Sequence, residues 1–135
     1  MKTNFTLGLV GNPNSGKTTL FNALTGTHQR VGNWPGVTVD KKSGFYHYRD
    51  RRVEVVDLPG TYSLDLPHGD TSLDEQIARD YILSGEADLV VNIVDGANLE
   101  RNLYLTSQLL EMRVPMVVAV NMMDKAEKLG LELDL

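Results

Sequence analysis

Gly11-Asn12-Pro13-Asn14-Ser15-Gly16-Lys17-Thr18 satisfies the pattern G-x-x-x-x-G-K-[ST] at every fixed position. The pattern carries chemistry when a strand leads into it and a helix leads out. Thr6 to Val10 is a short apolar run that reads as a buried strand. Lys17 to Leu24 sets Leu20, Phe21 and Leu24 on one helical face, and Gly26 stands where a helix would stop. With both flanks in place, the stretch reads as a phosphate-binding loop. A polyanion needs many donors at short range. Small residues let backbone N–H groups converge on it, and the following helix adds its positive end. Lys17 would bring a cation to the outer phosphates, and the Thr18 hydroxyl can ligate Mg²⁺.

Beyond the loop, Thr27 to Lys42 has no clean period and contains Gly32, Asn33, Pro35 and Gly36, so it reads as a long functional loop. Gly44 to Tyr48 and Val53 to Asp57 read as a hairpin broken by the charged stretch Arg49 to Arg52. Ser72-Leu73-Asp74-Glu75 is a capping box, opening a helix with Leu73, Ile77, Tyr81 and Ile82 on one face. Leu89 to Asp95 is a nearly continuous apolar strand. Asn98 to Met112 reads as a helix whose Leu99, Leu103, Leu105, Leu109 and Leu110 mostly face inward. Val114 to Val120 reads as another strand, ending at Asn121, and Met123 to Leu129 as the opening of a further helix.

This alternation predicts an α/β fold with a mostly parallel sheet and helices on both faces. The strands deliver their C-terminal ends to one rim, where Gly11, Asp57, Asp95 and Asn121 should line up and where ligands of such sheets bind. Asp57-Leu58-Pro59-Gly60 is D-x-x-G at a strand end. Alone it is ordinary turn chemistry. Following a phosphate loop it acquires a role, in which the carboxylate holds Mg²⁺ through water and the Gly60 N–H senses the terminal phosphate. Asn121-Met122-Met123-Asp124 is N-x-x-D at another strand end. A carboxylate there can accept from the N1–H and exocyclic amine of guanine, a donor pair that adenine lacks. The plainer reading is a helix cap.

Composition bounds the remainder. The 135 residues make one domain, with 41% apolar content for a core. A formal charge of −5 argues against a nucleic-acid-binding surface. There is no cysteine, which excludes disulfides and thiolate metal sites. No apolar run approaches the ~20 residues that span a bilayer, and the N-terminus lacks a signal-peptide core, so the piece is expected to be soluble. His28, His47 and His68 have no metal-ligand spacing. Trp34 is either a packing anchor or a contact of the long loop.

Taken in order, these motifs resemble those of the small G-domain GTPases. More narrowly, the stretch from Gly11 to Asn22 and Arg30-Val31-Gly32-Asn33-Trp34-Pro35-Gly36-Val37-Thr38-Val39 resemble FeoB. That is the family of bacterial ferrous-iron transport proteins whose cytoplasmic N-terminal part is a G domain. Asp57 to Leu64, Thr71 to Gln76 and Asn92 to Leu105 fit it as well. The resemblance implies a Ras-like three-layer sandwich over residues 1–135, with one antiparallel edge strand. It implies slow, Mg²⁺-dependent hydrolysis of GTP to GDP, stimulated by K⁺, as the regulatory switch of an iron transporter. Nucleotide would contact Gly11, Asn12, Pro13, Asn14, Ser15, Gly16, Lys17, Thr18 and Thr19, then Gly36, Val37 and Thr38. Further contacts would come from Asp57, Leu58, Pro59 and Gly60, and from Asn121, Met122, Met123 and Asp124. Thr18 and Thr38 would hold Mg²⁺, with Asp57 acting through water. Asn14, with carbonyls near Gly32 to Trp34, would hold K⁺. Lys17, Asn14, Thr38 and Gly60 would carry catalysis; the choice of Thr38 over other loop threonines rests on the resemblance.

Three departures stand out. Met122 replaces a common Lys, and Thr61 replaces the Gln that often orients the attacking water, which predicts slow turnover. A G domain also continues with another strand and helix after N-x-x-D, so the chain is expected to be an N-terminal piece. Its partners would be the helical domain and membrane pore of the full protein, at the cytoplasmic face of the inner membrane. Val114 to Val120 would then be an open apolar edge that invites self-association. The competing readings are a guanine-nucleotide binding module with negligible turnover, a potassium-type GTPase acting on RNA or ribosomes, and an adenine-nucleotide kinase.

Overall fold

A computed structural model describes residues 4–65 and 72–121. Strand β1 (Asn4–Gly11) leads through the phosphate loop into helix α1 (Lys17–Thr25). There follow β2 (Gln29–Asn33), β3 (Asp40–Tyr48), β4 (Arg51–Asp57), α2 (Leu73–Ser84), β5 (Leu89–Asp95), a short 3-10 turn (Gly96–Asn98), α3 (Leu99–Glu111) and β6 (Met116–Asn121). The strands form one six-stranded sheet in the order β2-β3-β4-β1-β5-β6. β1 runs parallel to both β4 and β5, and β5 parallel to β6. β3 opposes β4 and β2 opposes β3, so the antiparallel edge is made by this pair of strands.

Successive residues of each strand point to opposite faces, which splits the core in two. Leu7, Leu9, Val55 and Ile93 pack with Phe21 of α1 on one face. Val10, Val56 and Val90 pack with Ala78, Tyr81 and Ile82 of α2 and Leu105 and Leu109 of α3 on the other. This is the three-layer α/β sandwich expected from the alternation of elements.

Three local expectations need correction. The stretch from Thr27 to Lys42 is not loop throughout, because β2 occupies Gln29–Asn33 and β3 already begins at Asp40. All five residues of β2 are exposed, so no apolar alternation marks it in the sequence. In α3, Leu103 and Leu110 face solvent, while Asn102, Leu105, Thr106 and Leu109 are buried. That is the i, i+3, i+4, i+7 stripe of one helical face, with polar residues at two of its positions. They are tolerated because they are bonded: Asn102 accepts from the Asp95 N–H at 3.0 Å, and Thr106 donates to Asn92. Finally, the Ser72 hydroxyl accepts from the Glu75 N–H at 3.2 Å as a cap should. The Glu75 carboxylate, however, takes the Ser63 hydroxyl at 3.1 Å. The expected helix from Met123 to Leu129 lies outside the described residues. Among the described residues no helix is long and apolar enough to cross a membrane.

Candidate phosphate-binding site

The loop between β1 and α1 is shaped by its glycines. Gly16 stands at the head of α1 with φ 94° and ψ 9°, a left-handed conformation that costs a side-chain-bearing residue about 1 kcal/mol or more. At Gly11, a Cβ would lie 2.7 Å from the Ile93 carbonyl oxygen and 2.8 Å from Ser15 Oγ, so nothing larger fits. The Ser15 N–H closes the loop on the Asn12 carbonyl at 3.1 Å. From the far end of β6, the Asn121 side-chain amide donates to the Ser15 carbonyl at 3.1 Å. The strand-end Asn therefore braces the loop directly.

The loop walls a cavity of about 600 Å³, lined by Asn12 to Asn14 and Gly16 to Thr19 together with Gly60 and Asp74. Lys17 enters it from the first turn of α1 and forms a buried ion pair with Asp57 at the end of β4. Gly60 lies against the loop, where an added Cβ would be 3.2 Å from Pro13 Cα. The next N–H, of Thr61, donates to the Gly11 carbonyl at 3.0 Å. Loop and D-x-x-G turn are thus one unit, though 40 or more residues apart in the chain. Asn12 Nδ2 and Oδ1 and Ser15 Oγ are buried with no hydrogen-bond partner among the described residues. Buried polar atoms are nearly always bonded, so their concentration in this loop fits a site built for a polar ligand.

The expected residues are not all brought together. Leu58 is buried in the core, and Pro59 is half-buried. Asp95 lies on the rim but spends its carboxylate on the Ala97 N–H and the Asn98 amide, both at 2.9 Å. Gly36, Val37 and Thr38 do not line the cavity, and Thr38 is exposed. Their loop folds on itself, with the Trp34 N–H bonded to the Val39 carbonyl at 3.0 Å and the Val37 N–H to the Trp34 carbonyl at 3.2 Å. Trp34 is a packing anchor, buried edge-on against Tyr81 with ring centroids 5.6 Å apart. The Thr61 hydroxyl donates to the Ser63 carbonyl at 2.7 Å. His28 and His47 pack against Phe45. Asp74 lines the cavity without having been expected to; its place in a capping box gave it a complete local explanation. Met122, Met123 and Asp124 lie outside the described residues.

A glycine loop at a strand-to-helix joint, a Lys and an Asp at its mouth, and a six-stranded mostly parallel sheet define the class. This is a phosphate-loop nucleotide-binding domain of the G-domain type. Residues 5–135 match the family described as Ferrous iron transport protein B, and the chain belongs to that family, in its N-terminal G domain. It is 63% identical over 130 residues to the Fe(2+) transporter FeoB of Escherichia coli K12, covering 96% of this chain and 17% of that protein. With FeoB of Salmonella typhimurium LT2 the identity is 64% over 129 residues, again 96% of this chain and 17% of the relative. The chain therefore spans under a fifth of the length of these curated relatives. Among solved structures, the cytosolic domain of L. pneumophila FeoB superposes with a TM-score of 0.91 at 54% identity, covering 96% of this chain and 55% of that one. An S. thermophilus NFeoB mutant bound to GDP gives 0.87 at 50% identity, covering 96% and 49%.

Proposed function

We propose that this domain is the guanine-nucleotide switch of a ferrous-iron transporter, binding GTP and GDP and hydrolysing GTP slowly. The observation that carries this reading is the cavity beside Gly11 to Thr18, with Lys17 buried at its mouth and unpartnered polar atoms in its wall. The GDP bound by the related S. thermophilus protein supports the choice of nucleotide.

Backbone N–H groups from Asn14 to Thr19 would hold the phosphates, with the α1 dipole behind them. Lys17 would exchange Asp57 for the outer phosphates, freeing the Asp57 carboxylate. Thr18, in the cavity wall, and Asp57, paired with Lys17 beside it, would offer oxygen donors that suit Mg²⁺, and Thr38 would complete the set by moving inward. Asn14, held at φ 67° beside the cavity, offers its side-chain oxygen to K⁺ with carbonyls near Gly32 to Trp34. When bound, the two cations would neutralise charge developing on the phosphates. The Gly60 N–H would read the terminal phosphate, and Asn121 with Met122, Met123 and Asp124 would select guanine. In the full protein the partners would be the helical domain and pore at the cytoplasmic face of the membrane. Val117 and Val118, 50% and 41% exposed on β6, are the surface for self-association.

A second reading is a switch that binds nucleotide with negligible turnover. The Thr61 hydroxyl favours it, being committed to Ser63 rather than free to orient water. The deciding experiment is GTP turnover with Mg²⁺ in potassium against sodium at matched ionic strength. Potassium stimulation lost in Asn14→Ala supports the enzyme. Equal, negligible rates with tight binding of labelled GDP support the second reading. Absence of both binding and turnover would overturn the proposal.

A further inference from the structure

We propose that Gln108 is a positioning residue of the switch: its amide latches Leu64 and Asp65 to α3 and so keeps Thr38 out of the phosphate cavity. The inference rests on the guanine-nucleotide reading of the site and adds to it a control lying outside the nucleotide motifs.

The latch uses both ends of one side chain. Gln108 Oε1 accepts from the Leu64 N–H at 2.6 Å, and Nε2 donates to Asp65 Oδ1, also at 2.6 Å. An amide alone among helix-favouring side chains offers a carbonyl and an NH₂ in one plane, as this pair of bonds requires. One turn earlier on the same helical face, the Tyr104 hydroxyl donates to the same Asp65 oxygen at 3.1 Å. Two more ties come from α2: Arg79 donates to the Asp65 carbonyl at 2.9 Å, and Glu75 accepts from the Ser63 hydroxyl. At the other end of this short segment, the Thr61 N–H is bonded to Gly11 of the phosphate loop. Residues 61–65 therefore bridge the nucleotide cavity and the two helices, and Gln108 makes the two shortest of the helix-side bonds.

The latch reaches Thr38 through packing. Leu64, held by its N–H, is buried in the core cluster that also contains Trp34, Leu58 and Tyr81. Trp34 in turn ties the turn that ends at Val39, with Thr38 exposed outside the cavity. Moving Thr38 to the phosphates displaces that turn from the cluster. Whatever fixes Leu64 in the cluster opposes the move. A ligand with a terminal phosphate rewards it, whereas a diphosphate does not, so loosening the latch shifts preference between the two.

The test is the ratio of dissociation constants for GDP and a non-hydrolysable GTP analogue, with Mg²⁺, in the full chain and its variants. Gln108→Leu keeps helix propensity and removes both bonds; the ratio should move toward the analogue by about tenfold. Tyr104→Phe removes one exposed bond and should move it about threefold in the same direction. The emission of Trp34, the one tryptophan of the chain, should shift to the red in Gln108→Leu without nucleotide. A purely structural role for Gln108 would lower both affinities together and leave the ratio fixed, which overturns the latch. Should Gln108→Leu fail to fold, Tyr104→Phe decides by the same ratio. If the unaltered chain binds neither nucleotide, the guanine reading itself falls and the latch with it.

Discussion

Lys17, in the wall of the phosphate-loop cavity, forms a buried ion pair with Asp57, with residue exposures of 8% and 7%. The pair joins the first turn of α1 to the end of β4. In the function proposed above it is also the pair that a phosphate would open, with Lys17 as the cation of the loop.

Replacing one partner should expose that tension. Lys17→Met leaves a buried carboxylate uncompensated and should destabilise the chain by about 3 kcal/mol in urea unfolding. Lys17→Met with Asp57→Asn should recover much of the loss, because the stranded charge is gone. Labelled GDP binding should stay at least about 30-fold weakened in both, as neither restores the cation.

Asn121 ties β6 to the phosphate loop through the Ser15 carbonyl. Asn121→Ala should therefore weaken GDP by about fivefold through the loop alone, one hydrogen bond's worth. If the loop brace is real, binding of inorganic pyrophosphate, which has no base, should weaken too. Unchanged pyrophosphate binding would assign Asn121 to the base alone.

Trp34 is buried but its Nε1 has no partner among the described residues, and the Lys41 ammonium lies 4.9 Å from its ring. Trp34→Ala should cost about 3 kcal/mol as a large-to-small change in a packed cluster. Trp34→Phe should cost about 1 kcal/mol, since the lost N–H was making no bond. Thermal unfolding of the two variants gives the comparison.

Tyr81 responds to pH. Burial first, then the nearby Glu86 and Asp88 carboxylates, push its hydroxyl from 10.0 to about 12. A raised acid pKa in the folded chain means the neutral hydroxyl is favoured there. Its contribution is thus intact below pH 10 and is lost as pH climbs towards 12. Alkaline unfolding curves should steepen across that window in the natural chain and be shallower in Tyr81→Phe.

Much of the fold was legible because its signals are local. The phosphate loop declares itself by glycine spacing, and the strand β5 by a nearly continuous apolar run whose bounds, Leu89–Asp95, are those of the strand. The Ser72 cap was readable from the order of side chains alone. β2 was hidden because an exposed edge strand has no buried face to impose alternation. The inward stripe of α3 escapes the leucine pattern because two of its four positions are polar. Asn102 and Thr106 are buried there only because Asp95 and Asn92 bond them from another element.

The order of side chains along the chain was enough to establish the phosphate loop, the D-x-x-G turn, the succession of strands and helices apart from β2, and the family. Each of these depends on side-chain size, spacing or backbone freedom within a few residues. The folded arrangement was needed to establish that Lys17 meets Asp57, that Asn121 braces Ser15, and that Trp34 is anchored in the core. It was needed too for the hold of Gln108 on Leu64 and Asp65. These partners are brought together by the parallel sheet, whose crossovers place residues far apart in the chain on one rim. Local sequence patterns do not encode such meetings.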